Sequence, residues 1–227
     1  MGKESKFFGL PELTPRERRI FKLLYVEQAL GNRWLRWRYR DRIHFGPGCR
    51  VDWRTLLLSG AGRVEFEQDV IIERGIHKVA FHLEPGSKVS LGRGVWIQTF
   101  DDDMVFSAKA GAEIRIGERS WFSGGIFGAS KSITVGDHTL IGWGCMVLDS
   151  DMHRLDNDEP PPEAEPVIIG SHVWMPSNIT VLKGVTIGDH CVIGTGSLVT
   201  DDIPPHSLAA GRPARVIREL GDRDRVE

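Results

Sequence analysis

Aliphatic residues recur at every sixth position through "IIGSHVWMPSNITVLKGVTIGDHCVIGTGSLVT", in the second half of the chain. The positions are Ile169, Met175, Val181, Ile187, Ile193 and Val199. A period of six matches neither the 3.6 residues of a helical turn nor the alternation of a two-faced strand. It predicts short strands joined by bends, in which each side of a coil contributes one inward aliphatic side chain. Glycines directly after the aliphatic residue, as at Gly170 and Gly188, suit the sharp corner between two sides.

A longer unit emerges when the aliphatic-x-aliphatic triplets of the chain are aligned. The triplets begin at Val64, Val89, Ile114, Ile133, Val167 and Val185. Their separations are 25, 25, 19, 34 and 18 residues, so they exceed a three-sided coil of 18 by 7, 7, 1, 16 and 0. The excess of 16 stands out, and it lies within "VLDSDMHRLDNDEPPPEAEPV". We therefore predict a solenoid from which residues 148–166 leave as an excursion loop.

The repeats and the chain end carry a family resemblance. The "[LIV]-G-x-x-x-x" units resemble those of the left-handed parallel β-helix acyltransferases, and "VTDDIPPHSLAAGRPARVIREL" is similar to the C-terminal segment of their sugar and polysaccharide O-acetyltransferases. The resemblance covers about residues 60–220 and implies a mainly β, left-handed solenoid that assembles as a homotrimer. It also implies transfer of an acetyl group from acetyl-CoA, without a metal, to a sugar hydroxyl of a glycan or its precursor. We expect residues 1–58 to form an N-terminal segment, 59–205 the solenoid and 206–227 a C-terminal extension.

The excursion carries the candidate catalytic histidine. Acyl transfer to an alcohol needs a base that accepts the hydroxyl proton, and histidine titrates in the appropriate range. His153 lies in "DSDMH", where the acetyltransferases carry their catalytic histidine on an extended loop, so the resemblance implies that His153 is the general base. Asp149 and Asp151 are both close enough in sequence to orient its ring, and the sequence does not choose between them. The simpler alternative is that all three side chains are solvated loop residues.

The resemblance also implies donor and acceptor contacts. In "VWMPSN", Trp174 would line the catalytic pocket and the backbone N–H of Ser177 would face the thioester carbonyl, where oxyanion charge develops. Alternatively, Trp174 is a corner aromatic residue that covers the solenoid. The remaining coenzyme A contacts are expected from small residues, a threonine and arginines near the chain end. These residues are Thr195 and Gly196 along the pantetheine arm, Thr200 at the nucleotide end, and Arg215 on a phosphate.

Two positions depart from the family pattern. The lysine that often follows the threonine is Asp201 here, which removes a cation from the phosphate site, and Arg212 is a candidate replacement. On the acceptor side, Ser123 in "WFSGG" stands where the galactoside enzymes have asparagine. We therefore expect Ser123 and its neighbour Trp121 to contact an acceptor other than a galactoside. Acylation of the amine of an amino sugar remains an alternative.

The N-terminal segment combines a helix with a basic and aromatic stretch. Thr14 and Glu17 form a capping box, Pro15 suits the first helical position and Gly31 the helix end, so the sequence predicts a helix over 15–30. Between residues 14 and 50 there are ten Lys or Arg against three Asp or Glu, interleaved with tryptophans and a tyrosine. Such segments suit anionic membrane surfaces. Simple packing of the aromatic rings on the first coil is the alternative, and single-stranded nucleic acid is a third.

Composition limits the remaining function classes. The formal net charge of -2 argues against nucleic acid as the main partner. Three widely spaced cysteines indicate free thiols, and the sequence contains neither a signal-peptide pattern nor an apolar stretch of spanning length, so we expect a cytoplasmic protein. The γ-type carbonic anhydrases share the fold, but only His77 and His82 offer a zinc-like spacing. A non-catalytic solenoid would not need a histidine on a long loop.

Overall fold

The computed structural model describes residues 15–151 and 163–222, and within its one helix it describes side chains from Val26 onward except at position 28. The described residues form helix α1 (Pro15–Arg38) followed by 23 strands. In chain order the strands are β1 (Ile43–Phe45), β2 (Arg50–Val51), β3 (Leu56–Gly60), β4 (Arg63–Phe66), β5 (Ile71–Ile72), β6 (Val79–Leu83), β7 (Lys88–Leu91), β8 (Trp96–Ile97), β9 (Met104–Ala108), β10 (Glu113–Ile116), β11 (Trp121–Phe122), β12 (Gly125–Ala129), β13 (Ser132–Val135), β14 (Leu140–Ile141), β15 (Met146–Leu148), β16 (Val167–Ile169), β17 (Trp174–Met175), β18 (Thr180–Val181), β19 (Thr186–Ile187), β20 (Val192–Ile193), β21 (Leu198–Val199), β22 (Ser207–Gly211) and β23 (Ala214–Glu219).

The strands build three sheets that the chain visits in rotation. Sheet A contains β1, β4, β7, β10, β13, β16 and β19; sheet B contains β2, β5, β8, β11, β14, β17, β20, β22 and β23; and sheet C contains β3, β6, β9, β12, β15, β18 and β21. All neighbouring strands in these sheets are parallel except β22 and β23. Parallel neighbours that recur once per coil are the signature of a β-solenoid. The predicted mainly β solenoid with an N-terminal helix is therefore confirmed.

The strand register agrees with the alignment of the aliphatic triplets. Val64 pairs with Val89, and Ile114 pairs with both Val89 and Ile133. Ile133 in turn pairs with Val167, across the 34-residue separation. The 16 additional residues therefore leave the register of sheet A unchanged, as expected for a loop inserted at a corner.

The core changes character along the solenoid axis. Coils in the N-terminal half have five-residue strands in sheet C and enclose a chain of contacting phenylalanine rings. The rings belong to Phe45, Phe66, Phe81, Phe106, Phe122 and Phe127. In the C-terminal half, two-residue strands enclose valine and isoleucine, such as Val181 and Ile193. The longer repeat of 25 residues thus widens the coil enough to bury aromatic rings.

Helix α1 extends to Arg38, so the prediction of a helix that ends before Gly31 is wrong. Gly31 is buried within the helix, and a Cβ at this position would overlap the ring of Trp53. The absence of a side chain at Gly31 therefore lets the helix approach the first coil closely, which is a packing role for glycine. Leu35, one turn further on, is fully buried in the solenoid core.

Both ends of the solenoid lie outside the range 59–205 expected from the sequence. The first coil begins at Ile43, which pairs with Val64, because β1, β2 and β3 already continue the three sheets. At the other end, β22 extends sheet B and β23 folds back on it as an antiparallel strand. These segments give the outermost coils hydrogen-bonding partners.

A column of histidine rings marks the corner between sheets A and B. His138, His172, His190 and His206 have positive φ values of 54°, 57°, 60° and 55°. Neighbouring rings are stacked, with centroids 5.0, 4.8 and 4.9 Å apart. The spacing equals the separation of adjacent parallel strands, so the column follows directly from the coil repeat.

Candidate active site

The excursion leaves the solenoid at the corner between sheets C and A. Strand β15 ends at Leu148 and β16 begins at Val167. The two ends of the excursion are joined by a hydrogen bond in which the Glu165 N–H donates to the Asp149 carbonyl at 2.8 Å. His153, the predicted general base, and the acidic, proline-rich residues that follow it lie outside the described residues. The described part of this region is therefore the base from which the excursion departs.

Asp149 is a buried anchor of the preceding corner. Its Oδ1 accepts a hydrogen bond from the Ser130 N–H at 2.6 Å, and its Oδ2 accepts one from the Lys131 N–H at 2.7 Å. The side chain is fully buried. Both carboxylate oxygens thus serve the backbone at the turn between β12 and β13. Because His153 lies outside the described residues, the proposed role of Asp149 in orienting its ring stays a prediction.

Asp151 is exposed and paired with a lysine. Lys183 Nζ donates to Asp151 Oδ2 at 2.5 Å and lies 3.7 Å from Glu165 Oε1. The hydrogen bond to Asp151 is the main cause of the raised pKa of Lys183. A single lysine from the next coil thereby contacts acidic residues on both sides of the excursion. The sequence analysis did not identify Lys183 as a site residue, although its position one coil after the excursion could have indicated it.

The acceptor-side residues lie on sheet B. Trp121 pairs with Trp96 and with Leu140, and Leu140 pairs with Trp174, so the three tryptophans occupy one outward row. Trp96 and Trp174 are exposed. Trp121 is half-buried, and its Nε1 donates to Gln98 Oε1 at 3.2 Å. Trp96 was missed from the sequence, although it precedes Trp121 by one 25-residue repeat.

Ser123, two residues after Trp121, is buried at the end of β11. Its backbone N–H donates to the Ile141 carbonyl at 3.1 Å. The structure therefore brings Trp121 and Trp174 together on one surface, whereas Ser123, directly after β11, is buried.

The predicted donor contacts fall into two groups, of which the first lies at the corner between sheets B and C. The Gly196 N–H donates to the Ser177 carbonyl at 3.1 Å, so the two residues stand on adjacent coils. Arg212 reaches the same corner, where Nη1 donates to the Gly196 carbonyl at 3.5 Å. Thr195 is exposed beside them. Gly196 has a φ of 74°, a backbone conformation that favours glycine. Steric crowding does not explain the glycine at this position, because a Cβ there would meet no atom within 4 Å.

The second group lies at the C-terminal end of the solenoid. Asp201 Oδ2 accepts hydrogen bonds from Thr200 Oγ1 and from Arg215 Nη1, both at 2.8 Å. These two hydrogen bonds, the one from Thr200 first, lower the pKa of Asp201. A shallow depression of about 230 Å³ adjoins them, lined in part by Ile203 and Val216. The aspartate in place of the family's lysine thus has a structural consequence. Asp201 forms hydrogen bonds with Thr200 and Arg215, the two residues expected to bind the nucleotide end of coenzyme A.

The histidines considered for zinc have other partners. His77 Nδ1 lies 3.5 Å from Asp103 Oδ1, and His82 Nδ1 forms a hydrogen bond of 2.6 Å with Ser59 Oγ. Among the side chains that the structure describes, no three from His, Cys, Asp or Glu are grouped in a way that could hold a metal ion. Cys49, Cys145 and Cys191 are free and buried, and burial raises the pKa of the Cys145 thiol to about 11.

The topology separates the excursion from the tryptophan row within one subunit. Each coil runs from sheet A to sheet B to sheet C. In such a three-sided coil, the corner between C and A lies opposite the face of sheet B. The excursion departs from that corner, whereas Trp174 projects from sheet B. A site that combines both needs either a loop that crosses the solenoid or a second subunit.

Known proteins match this chain in sequence and in structure. The family of bacterial transferase hexapeptides, in six repeats, matches residues 166–201. Galactoside O-acetyltransferase of Escherichia coli K12 is 44% identical over 96 residues, which cover 41% of this chain and 47% of that protein. The chain spans about half the length of the curated relatives it matches. It covers 47% of the Escherichia coli enzyme and 59% of a Staphylococcus aureus acetyltransferase.

Two solved structures extend the match. A hexapeptide-repeat acetyltransferase of Vibrio cholerae, solved with acetyl coenzyme A, is 32% identical with a TM-score of 0.51, and the alignment covers 61% of this chain and 73% of that one. A maltose O-acetyltransferase of Clostridium difficile 630 is 30% identical with a TM-score of 0.51, and the alignment covers 60% and 71% of the two chains. The matched hexapeptides and these relatives lead to one conclusion: the chain belongs to the hexapeptide-repeat acetyltransferase family.

Proposed function

We propose that this protein transfers the acetyl group of acetyl-CoA to a sugar hydroxyl of a glycan or glycan precursor. The hydroxyl oxygen attacks the thioester carbonyl while the His153 imidazole accepts the hydroxyl proton. The carbon–sulfur bond then breaks, and the coenzyme A thiolate takes up the proton from the imidazolium. The names of the relatives support the reaction class, since they include galactoside and maltose O-acetyltransferases.

The observation that carries this proposal is the construction of the excursion base. The excursion is inserted without disturbing the register of sheet A, its two ends are joined by a hydrogen bond, and Lys183 contacts both ends. A loop built in this way is suited to hold one histidine at a defined distance from the solenoid wall. A solenoid that only binds partners needs no such insertion. We assign Asp151, and not the buried Asp149, to the set of groups that position the excursion.

The donor is proposed to lie along the corner between sheets B and C. There the backbone N–H of Ser177 would face the thioester carbonyl, and Thr195 and Gly196 would line the pantetheine arm. The adjacency of Ser177, Gly196 and Arg212 supports this path. Arg215 and Thr200 would contact the nucleotide end once they part from Asp201.

A homotrimer completes the site in this proposal, because the excursion and the tryptophan row diverge within one subunit. The outward residues of the sheets support it. Sheet A presents a mostly polar row, namely His44, Glu65, Ser90, Arg115, Thr134, Ile168 and Thr186. Sheet C presents a mostly apolar row, namely Leu57, Ala80, Val105, Ile126, Met146, Thr180 and Leu198. Contact through sheets B and C would place the excursion of one subunit beside Trp174 of the next.

Release of coenzyme A against a panel of nucleotide sugars, oligosaccharides and polysaccharide repeat units tests the activity. We expect His153→Ala to lower kcat by about 10²-fold or more with at least one acceptor of the panel. The control is His44→Ala, which removes an exposed histidine of sheet A. Undiminished turnover in His153→Ala would exclude His153 as the base.

Mixed oligomers test whether the site is shared. Subunits that carry His153→Ala and subunits that carry Trp174→Ala are coexpressed with different tags, and assemblies that contain both are purified. A shared site predicts that the mixed assemblies recover activity that neither parent has, because one interface unites the intact histidine with the intact tryptophan. No recovery, or a monomer mass by light scattering, would contradict the shared site.

A further inference from the structure

The outer flank of helix α1 is an exposed apolar stripe. The stripe consists of four residues at intervals of four, four and three, namely Val26, Leu30, Trp34 and Trp37. These residues are 54%, 64%, 45% and 67% exposed, in that order. This spacing places them on one side of the helix. The stripe is distinct from the side that faces the solenoid, where Leu35 is buried. The helix thus has one apolar side for its own core and a second that faces outward.

Trp53 of the first coil enlarges this stripe. Its ring packs edge-on against Trp34, with centroids 6.1 Å apart, and it remains 37% exposed. An apolar groove of about 290 Å³ lies between Trp53 and the helix, with Leu30 on one side. The stripe and Trp53 together form what we call the helix patch, defined by Val26, Leu30, Trp34, Trp37 and Trp53. Contiguous exposed apolar surface of this kind indicates an interaction site.

Arginines surround the helix patch. Residues 26–54 contain seven arginines and three acidic residues. Helical spacing places the exposed Arg33 next to the patch. Arg36 is also exposed, but its guanidinium turns to the first coil, where it donates to the Phe45 carbonyl at 3.2 Å and lies over the Phe45 ring. Arg40 is exposed just beyond the end of the helix. The segment that carries the patch therefore has a net positive charge.

The acidic residues of this region offset only part of that charge. Glu27 forms an ion pair with Arg54, and Asp41 forms one with Arg40 at 3.5 Å. Asp52 is buried and accepts a hydrogen bond from the Arg54 N–H at 2.9 Å. The region thus keeps a net positive charge beside exposed tryptophans.

We propose that the helix patch binds the surface of an anionic phospholipid bilayer, with α1 lying parallel to the membrane plane. Apolar side chains would enter the boundary between headgroups and acyl chains, the tryptophan rings would lie at headgroup level, and the arginines would meet lipid phosphates. The aliphatic members Val26 and Leu30 distinguish a bilayer from single-stranded nucleic acid, whose bases stack on aromatic rings and leave aliphatic side chains without a role. In the described part of the chain, no helix has the length and apolar character needed to span a bilayer.

The experiment is co-sedimentation of the full chain with vesicles. Vesicles of phosphatidylcholine alone are compared with vesicles that also contain phosphatidylglycerol, at low and at high salt. We expect binding to the anionic vesicles, and a decrease of about tenfold or more in the Leu30→Ala, Trp37→Ala double variant. Both side chains are exposed, so the folded protein should tolerate their loss. Because neither belongs to the proposed active site, acetylation of a small acceptor should be unchanged.

Matched controls assign the effect to the helix patch. Trp143→Ala removes a tryptophan that is 44% exposed elsewhere on the solenoid, and it should leave vesicle binding unchanged. Arg33→Gln should weaken binding to anionic vesicles and reduce its dependence on salt. Equal binding to both kinds of vesicle, or full binding by the double variant, would overturn the proposal. The proposal would also be overturned if the protein bound a single-stranded oligonucleotide and this binding were weakened by Arg33→Gln but unchanged in Leu30→Ala.

Discussion

Lys183 Nζ donates a 2.5 Å hydrogen bond to Oδ2 of Asp151 across 32 residues of sequence. This contact ties the start of the excursion to the next coil, and the same ammonium group lies 3.7 Å from Glu165 at the end of the excursion. A salt bridge that is so exposed contributes little to global stability. Because this salt bridge lies at the base of the excursion, we infer instead that it restricts the positions that the excursion can adopt.

We expect Lys183→Met to lower kcat by about 3- to 30-fold, because a small displacement of a reacting group is costly in rate. The melting temperature should change little. The control is Lys88→Met, which breaks a comparable ion pair with Glu65 on sheet A and should leave kcat unchanged. In a double-mutant cycle, Asp151→Asn should add little to the effect of Lys183→Met. Fully additive effects would mean that the two residues act independently.

Asp149→Ala should reduce the free energy of unfolding by about 2–4 kcal/mol, because two backbone N–H groups of a partly exposed corner lose a buried, charged acceptor. Chemical denaturation measures this loss. The exposed Asp137, which accepts one hydrogen bond from the Glu118 N–H, is a matched control whose alanine variant should cost about 1 kcal/mol or less.

Turnover distinguishes this structural role of Asp149 from catalysis. Per folded molecule, kcat of Asp149→Ala should stay within about threefold of the parent. A loss that approaches the roughly 10⁴-fold seen when the carboxylate behind a catalytic histidine is removed would instead identify Asp149 as the residue that orients His153.

Asp201→Asn should improve the use of acetyl-CoA. The substitution removes the charge that engages Arg215, so the guanidinium becomes available for a phosphate. We expect the KM for acetyl-CoA to fall by about 3- to 10-fold at unchanged kcat, and Arg215→Ala to raise it.

Acetyl-dephospho-CoA serves as the internal control for this prediction. If Arg215 meets the 3′-phosphate, the benefit of Asp201→Asn disappears with this donor. An equal improvement with both donors would show that Arg215 does not bind that phosphate, and no improvement with either would place the nucleotide elsewhere.

Gly31→Ala should destabilise the protein although alanine favours helices by about 1 kcal/mol over glycine. A Cβ at Gly31 would lie 2.0 Å from Cδ1 of Trp53, so the ring must move. We expect a loss of about 1–3 kcal/mol in urea denaturation, within the range for overpacking. In a Trp53→Ala background the same substitution should be neutral or stabilising. Destabilisation in both backgrounds would attribute the effect to something other than this contact.

The coil architecture was predictable from sequence because each hexapeptide encodes its own side of the solenoid. Inward positions need a small aliphatic residue at a fixed step, and this requirement is local, so the triplets at Val64, Val89 and Ile114 aligned in the register that the structure has. The same regularity exposed the excursion as a departure of 16 residues. The first coil escaped detection, because its triplet at Ile43 lies within a segment whose arginines and tryptophans suggested a separate unit.

Helix α1 shows where local signals fail. Glycine is a common helix-end signal, but here the ring of Trp53 requires a glycine inside the helix, and no sequence rule relates two residues 22 positions apart.

The environments of Asp149 and Asp151 were likewise not predictable from local sequence. Both acids precede His153 at short range, but only the folded corner buries one and leaves the other exposed beside Lys183.

Period and local order were therefore enough to predict the repeat, the position of the excursion and the residue types available for acyl transfer. They could not predict which residues meet: Lys183 with Asp151, Arg215 with Asp201, and Trp96 with Trp121 on one face of sheet B. A solenoid brings together residues one coil apart, and the length of each coil is known only once every corner insertion has been placed in the folded chain.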